Sequence, residues 1–135
     1  MIVACDGAAR GNPGPAGFGV HITDGDGTTL AEIAEGIGVA TNNVAEYRAA
    51  IAGLARAREL GATRILLRSD SKLLIEQLAG RFRVRNAGLK PLHAEATALM
   101  VGFDRVDLEH VPRERNREAD RLANVGVDRW LARNP

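Results

Sequence analysis

At 135 residues, with 45% apolar and 26% charged side chains, the chain has ordinary globular composition and enough length for one core, which excludes the disordered and fibrous classes. A formal net charge of +1 gives no global attraction for a polyanion, so any case for such a partner must rest on local patches. The lone cysteine, Cys5, excludes an intrachain disulfide and a cysteine zinc cluster.

The apolar run Ile2-Val3-Ala4-Cys5 predicts a fully buried strand, with Cys5 a small core residue and Asp6 at the strand's end. This pattern begins at once, without a basic leader, and no stretch approaches the roughly 18 apolar residues of a membrane span. A soluble, reducing, cytoplasmic setting with no membrane partner is therefore expected. Gly11-Asn12-Pro13-Gly14-Pro15 predicts a loop, because Pro lacks an N–H and Gly admits unusual backbone angles. Over 18–23, Phe18, Val20 and Ile22 alternate with Gly19, His21 and Thr23, which predicts a second strand; Asp24-Gly25-Asp26-Gly27 supplies a hairpin turn, and a strand near 28–36 completes an antiparallel trio.

From Asn43 to Leu60 the residues Tyr47, Ala50, Ile51, Leu54 and Ala57 recur at helical spacing, with Gly61 as the stop. A strand over Arg64–Arg68, a helix over Ser71–Leu78 and a loop from Gly80 to Lys90 follow. Pro91 and the stripe Leu92, Ala96, Leu99, Met100 predict a further helix, residues 105–111 a strand with Val106, Leu108 and His110 on one face, and Asn116 the cap of a last helix reaching Trp130. His21 and His93 are expected at the surface. The order βββ-α-β-α-α-β-α implies an α/β fold, a mixed five-stranded sheet with three antiparallel strands followed by two parallel ones and helices on both faces. No internal repeat, linker or low-complexity segment divides residues 1–135, so a single domain is expected.

Four acids stand at junctions of these elements. Asp6 ends the first strand, where a turn-forming Asp is also common. Glu46 lies three residues after Asn43, the spacing of a capping box, yet it shares a helix face with Ala50, Gly53 and Ala57 that should pack inward, where a carboxylate wants a cationic partner. Asp70, between Ser69 and Ser71, has the position of an N-cap; a right-handed crossover would also bring it beside Asp6. Asp120 could be an exposed ion-paired residue, but its stripe includes Ala123 and Val127 and turns it toward the core. Four carboxylates in one cleft repel one another unless cations neutralise them, and oxygen-only ligands select hard ions, Mg2+ or Mn2+.

The stretches Cys5-Asp6-Gly7-Ala8-Ala9-Arg10-Gly11-Asn12-Pro13-Gly14-Pro15, Thr41-Asn42-Asn43-Val44-Ala45-Glu46, Ser69-Asp70-Ser71 and Asn116-Arg117-Glu118-Ala119-Asp120 resemble, in order, the motifs of type 1 ribonuclease H. The resemblance spans about residues 1–130. It implies a ribonuclease H-like fold and an endonuclease that cuts the RNA strand of RNA/DNA hybrids, leaving 3′-hydroxyl and 5′-phosphate ends. It also implies two Mg2+ ions, with Mn2+ as a substitute: Asp6 bridging both, Glu46 and Asp70 on the second, Asp120 on the first. By the same resemblance the backbone of Gly7, Ala8 and Ala9 meets RNA 2′-hydroxyls, Asn12 and Asn42 enter the minor groove, and Thr41 with Asn43 holds a DNA phosphate near a helix start.

Three departures from the family pattern matter. Lys72 stands where many members have Gln, which favours a phosphate contact over a base contact. Where some members carry a long basic helical handle, only Arg81, Arg83, Arg85 and Lys90 occupy a short loop, as in handle-less relatives. The assisting role of a mobile histidine falls either to His110 or, through phosphate binding, to Arg113. The rival readings are a non-catalytic nucleic-acid-binding module and a DNA-directed nuclease of the same fold; a monomer is expected. A dinucleotide site is set aside because the Gly-rich loop lacks the Gly-x-Gly-x-x-Gly spacing before a helix.

Overall fold

The computed structural model describes residues 1–135. In chain order the elements are β1 (Ile2–Ala9), β2 (Gly14–Thr23), β3 (Thr29–Ala40), α1 (Asn42–Glu59), β4 (Arg64–Ser69), α2 (Lys72–Leu78), α3 (Lys90–Val101), β5 (Arg105–His110), a 3-10 turn over Arg113–Arg115, and α4 (Arg117–Arg133). The five strands form one sheet in the order β3-β2-β1-β4-β5; β1, β2 and β3 pair antiparallel, while β4 is parallel to β1 and β5 to β4. This is the expected mixed sheet.

Helices cover both faces, and the alternation along β2 shows how. Val20 turns toward Gly53 of α1, whose inward side is built from Ala49, Ala50, Leu54 and Ala57, all fully buried. Gly19, the next residue back, turns to the other face, where a side chain would collide with the α4 backbone at Ala119 and Ala123. The α4 residues Ala119, Leu122, Ala123, Gly126 and Val127 are buried at the spacing of one helical stripe, so this helix lies close against β2. No helix is long and apolar enough to cross a membrane.

Several boundaries differ from those expected. β1 continues to Ala9, so Asp6 lies inside the strand, opposite Gly19, rather than at its end. β2 already begins at Gly14: Pro15 sits near the strand's start, where a missing N–H is tolerated, and its carbonyl accepts from the Arg10 N–H at 2.8 Å. The loop is thereby reduced to residues 10–13. β3 extends to Ala40 past an irregularity opposite Ala16 and Gly17, and α4 runs three residues past Trp130. His93 is half-buried rather than at the surface; its ring stands edge-on to Tyr47 at 6.4 Å and its Nε2 lies 3.1 Å from the Gln77 carbonyl, so that nitrogen carries a proton.

Candidate metal-binding site

Strand β1 pairs with β2 from Ile2 to Ala9 but with β4 only from Ile2 to Ala4. Beyond Ala4 the two parallel strands part, and a crevice opens at their carboxyl ends, the place where α/β sheets receive ligands. Next to this point the Asn116 Nδ2 donates to the Cys5 carbonyl at 3.0 Å. Asn116 is also the first residue before α4, but it makes no side-chain capping bond, so its amide is spent on joining α4 to β1 instead.

Each of the four acids enters this crevice from a different element. Asp6 shares a sheet face with Gly19 and so emerges on the side of α4, whose first turn carries Asp120. Glu46 comes from α1. A side chain at Gly7 would collide with the backbone of Ala45 and Glu46, so the bare glycine lets α1 lie directly on β1 and delivers the Glu46 carboxylate to the crevice. Neither Glu46 nor Asp70 serves as a cap. Thr41 Oγ1, not Asn43, accepts from the Val44 N–H at 3.2 Å to start α1, and Ser71 Oγ accepts from the Leu74 N–H at 3.2 Å to start α2. Asp70, one residue before Ser71, is left free of helix chemistry.

Ligand oxygens of Asp6, Glu46 and Asp70 lie within 4.8 Å of one another. Asp120 lines the same cavity, of about 350 Å3, beside Asp6. Burial, then the charges of Glu46 and Asp70, push the Asp6 carboxyl far above its ordinary value of 3.8, and the Asp120 contact helps keep the proton on it. Glu46 is raised by burial and by the charge of Asp70, against the Gly7 backbone N–H and Asp6, which draw it down. The only ion pair to any of the four acids is that of Arg113, whose Nη2 stands 3.6 Å from Asp120 Oδ1, beyond good hydrogen-bond distance. Glu46 Oε2 is buried with no partner at all. An oxygen-only donor set, mutual repulsion and an orphaned buried oxygen fit hard divalent cations.

A second acidic group makes the contrast. His21, Glu32 and Glu118 also come within 4.8 Å, but Arg121 Nη2 bridges the two carboxylates at 2.9 and 3.0 Å, so that group already has a counterion from the chain itself.

Of the residues expected to bind substrate, Gly7, Ala8, Ala9 and Asn42 line the cavity. Asn12 lies outside it, its Oδ1 accepting from the Asn42 N–H at 3.1 Å and fixing the loop to the start of α1. Thr41 is the α1 cap, Asn43 is exposed on the first turn, and Lys72 is exposed at the start of α2; none of these lines the cavity. Arg113 does, whereas His110 stands outside, exposed, with Nε2 3.2 Å from the Asp70 carbonyl. Two lining residues, Arg10 and Asn124, were not anticipated. Asn124 had a readable signal, one helical turn beyond Asp120, and its Nδ2 donates to the Asp120 carbonyl at 3.0 Å.

Comparison with known proteins adds an independent line. A family model described as reverse transcriptase-like matches residues 4–126. The solved structure of LC11-RNase H1 in complex with an RNA/DNA hybrid superposes with a TM-score of 0.91 at 40% identity, covering 96% of this chain and 98% of that one. The chain belongs to the type 1 ribonuclease H family. Ribonuclease HI of Halobacterium salinarum is 46% identical over 123 residues, 91% of this chain and 62% of that protein. A bifunctional protein of Mycobacterium tuberculosis is 50% identical over 129 residues, and its solved N-terminal RNase H domain matches with a TM-score of 0.91 over 93% of this chain and 97% of that domain. The chain spans 35% of the length of that mycobacterial relative. Against the handle-bearing pattern of some ribonucleases H, the connection between α2 and α3 here contains no helix.

Proposed function

We propose that residues 1–135 form a single ribonuclease H domain that hydrolyses the RNA strand of RNA/DNA hybrids, leaving 3′-hydroxyl and 5′-phosphate ends, and that it does so as a cytoplasmic monomer. One observation carries the reading: three carboxylates within 4.8 Å at the crevice, one of their oxygens buried without a partner. In this reading two Mg2+ ions, for which Mn2+ would substitute, would be held by Asp6 with Asp120 at the first site and by Asp6 with Glu46 and Asp70 at the second. Bound there, such a pair supplies an activated water and charge stabilisation at the departing oxygen.

The chain's own groups set the geometry. Asp6 is held by a strand paired along its whole length with β2, and Glu46 by a helix that rests on Gly7. The carboxylates line the cavity that would receive the scissile phosphate. Arg113, at the cavity lip, offers its guanidinium to a non-bridging phosphate oxygen. That Arg113 lines the cavity and His110 does not supports Arg113 as the assisting group.

Hybrid selection falls to the walls. The backbone of Gly7, Ala8 and Ala9 faces the cavity where ribose 2′-hydroxyls of the cut strand would pass, and only RNA supplies them. Asn12 and Asn42 border the groove. Thr41 Oγ1 accepts from Val44 and keeps its hydroxyl hydrogen to donate, so with Asn43 it can hold a DNA phosphate at the α1 N-terminus. Lys72 adds a further phosphate contact from α2.

The test is cleavage of a uniform RNA/DNA hybrid beside a DNA duplex of the same sequence. Mg2+-dependent cutting of the hybrid alone, abolished by EDTA, is expected. Asp70→Asn should lose cleavage by about a thousandfold or more, as when an essential catalytic group is removed, while hybrid binding survives. Wild-type rates for that variant, or cutting that persists in EDTA, would refute the reading.

A further inference from the structure

Arg10 is the cavity-lining residue that the reading above leaves without a role. Its guanidinium is held by two residues of α4: Nη1 lies 2.7 Å from Asp128 Oδ1, and Nη2 lies 3.4 Å from Asn124 Oδ1. The Asn124 amide is itself oriented, because its Nδ2 is spent on the Asp120 carbonyl and its oxygen is thereby turned to Arg10. A relay Asp128–Arg10–Asn124–Asp120 thus sets a guanidinium in the wall of the same hollow that holds the carboxylates.

Fold stability does not explain this arrangement. The Asp128 side chain is 65% exposed and that of Arg10 42%, and pairs so open to water contribute little. A guanidinium has five N–H donors, of which these contacts engage two, so three remain for a ligand. Arg113 and Arg10 are the two cations that line this cavity. Arg113 stands beside Asp120, at the scissile phosphate. Arg10 follows Asp6 by four positions along an extended chain, about 13 Å of Cα travel, which sets it beside a phosphate further along the strand than the scissile one. The hollow is continuous between Asp6 and Arg10, so whatever strand lies over the carboxylates also passes Arg10.

We propose that Arg10 is a substrate-contacting residue: its forked guanidinium, braced by Asn124 and Asp128, binds a backbone phosphate of the strand being cut, other than the scissile one. This inference rests on the ribonuclease H reading. Asp128, which touches no substrate, tempers the charge of Arg10.

The two partners should then behave oppositely. Arg10→Ala should raise KM for a hybrid about tenfold, with kcat within about twofold, as expected for loss of one charge-assisted contact. In a cleavage-silent Asp70→Asn background it should lower the salt slope of hybrid binding by about 0.9, the share of one phosphate. Arg10→Lys should restore the slope but only part of the affinity, because the fork is gone. Asp128→Asn should tighten hybrid binding at low salt. A merely structural clamp would give Arg10→Ala and Asp128→Asn the same loss of melting temperature with the salt slope unmoved in both, and that result overturns the proposal. If Arg10→Ala binds and cuts like an active wild type, this assignment alone fails; if the wild type neither binds nor cuts any hybrid, the reading beneath it fails as well.

Discussion

A carboxyl group that loses water without gaining a cation keeps its proton, and Asp6 and Glu46 are both in that condition. Their folded-state pKa values lie above the ordinary 3.8 and 4.5, so between those values and the raised ones the folded chain binds more protons than the unfolded chain. Stability of the metal-free protein should therefore be greatest below about pH 4 as far as these two groups are concerned, and should decline as pH rises through neutral. Saturating Mg2+ should flatten that decline, and Asp6→Asn should remove part of it, raising the metal-free melting temperature at pH 7 while ending cleavage. Melting curves against pH, with EDTA and with Mg2+, check both; a metal-free stability that climbs from pH 4 to 8 through these groups would contradict the burial argument. The same residues show what could be read without coordinates. The four acids were legible because each sits in a distinctive local motif, and because convergence of negative ligands has few other uses. Which of several adjacent cap-forming residues makes the cap was not legible: Thr41, Asn42 and Asn43 are all competent, as are Ser69, Asp70 and Ser71, and the choice falls to Thr41 and Ser71 only through the three-dimensional path of the chain. Arg10 escaped notice because its partner Asn124 is 114 positions away.

At the level of strands and helices, the position of Asp120 depends on how closely α4 can approach β2, and that is decided at Gly19. Any side chain there meets the backbone of Ala119 and Ala123, one residue before and three after Asp120. Gly19→Ala should cost about 1–3 kcal/mol by overpacking and should lower kcat by shifting Asp120 away from Asp6. Gly25→Ala, in a hairpin turn with open space around it, serves as the control and should leave kcat as it is. Thermal melts and steady-state rates on the two variants measure this; equal rates would mean that α4 yields without moving its acid. The element order and the parallel pairing of the last two strands followed from periodicity and from helical crossovers. Strand ends were harder, because Gly and Pro mark loops in general, and it takes the pairing of Gly14 and Pro15 with β3 and the Arg10 to Pro15 hydrogen bond to show that the chain resumes its ladder inside that run. Likewise Asp6 read as a strand terminus since the apolar run stops there, whereas the ladder with β2 continues for three more residues.

Across the whole molecule, a net charge of +1 conceals a strongly ordered pattern. Acids gather in two places, the crevice and the outer α4 side of the sheet, and a single guanidinium separates their fates. Between Glu32 and Glu118 the chain supplies its own counterion in Arg121; around Asp6, Glu46 and Asp70 it withholds one. Arg121 thus stands as the counterion beside a histidine and two glutamates. Substituting it by alanine should unmask a spectator seat, one that His21 would bias toward zinc or nickel over magnesium. Calorimetric titration with Zn2+ should then register an additional binding event in the variant, with hybrid cleavage in Mg2+ left intact; an unchanged isotherm would mean that those three side chains are simply solvated.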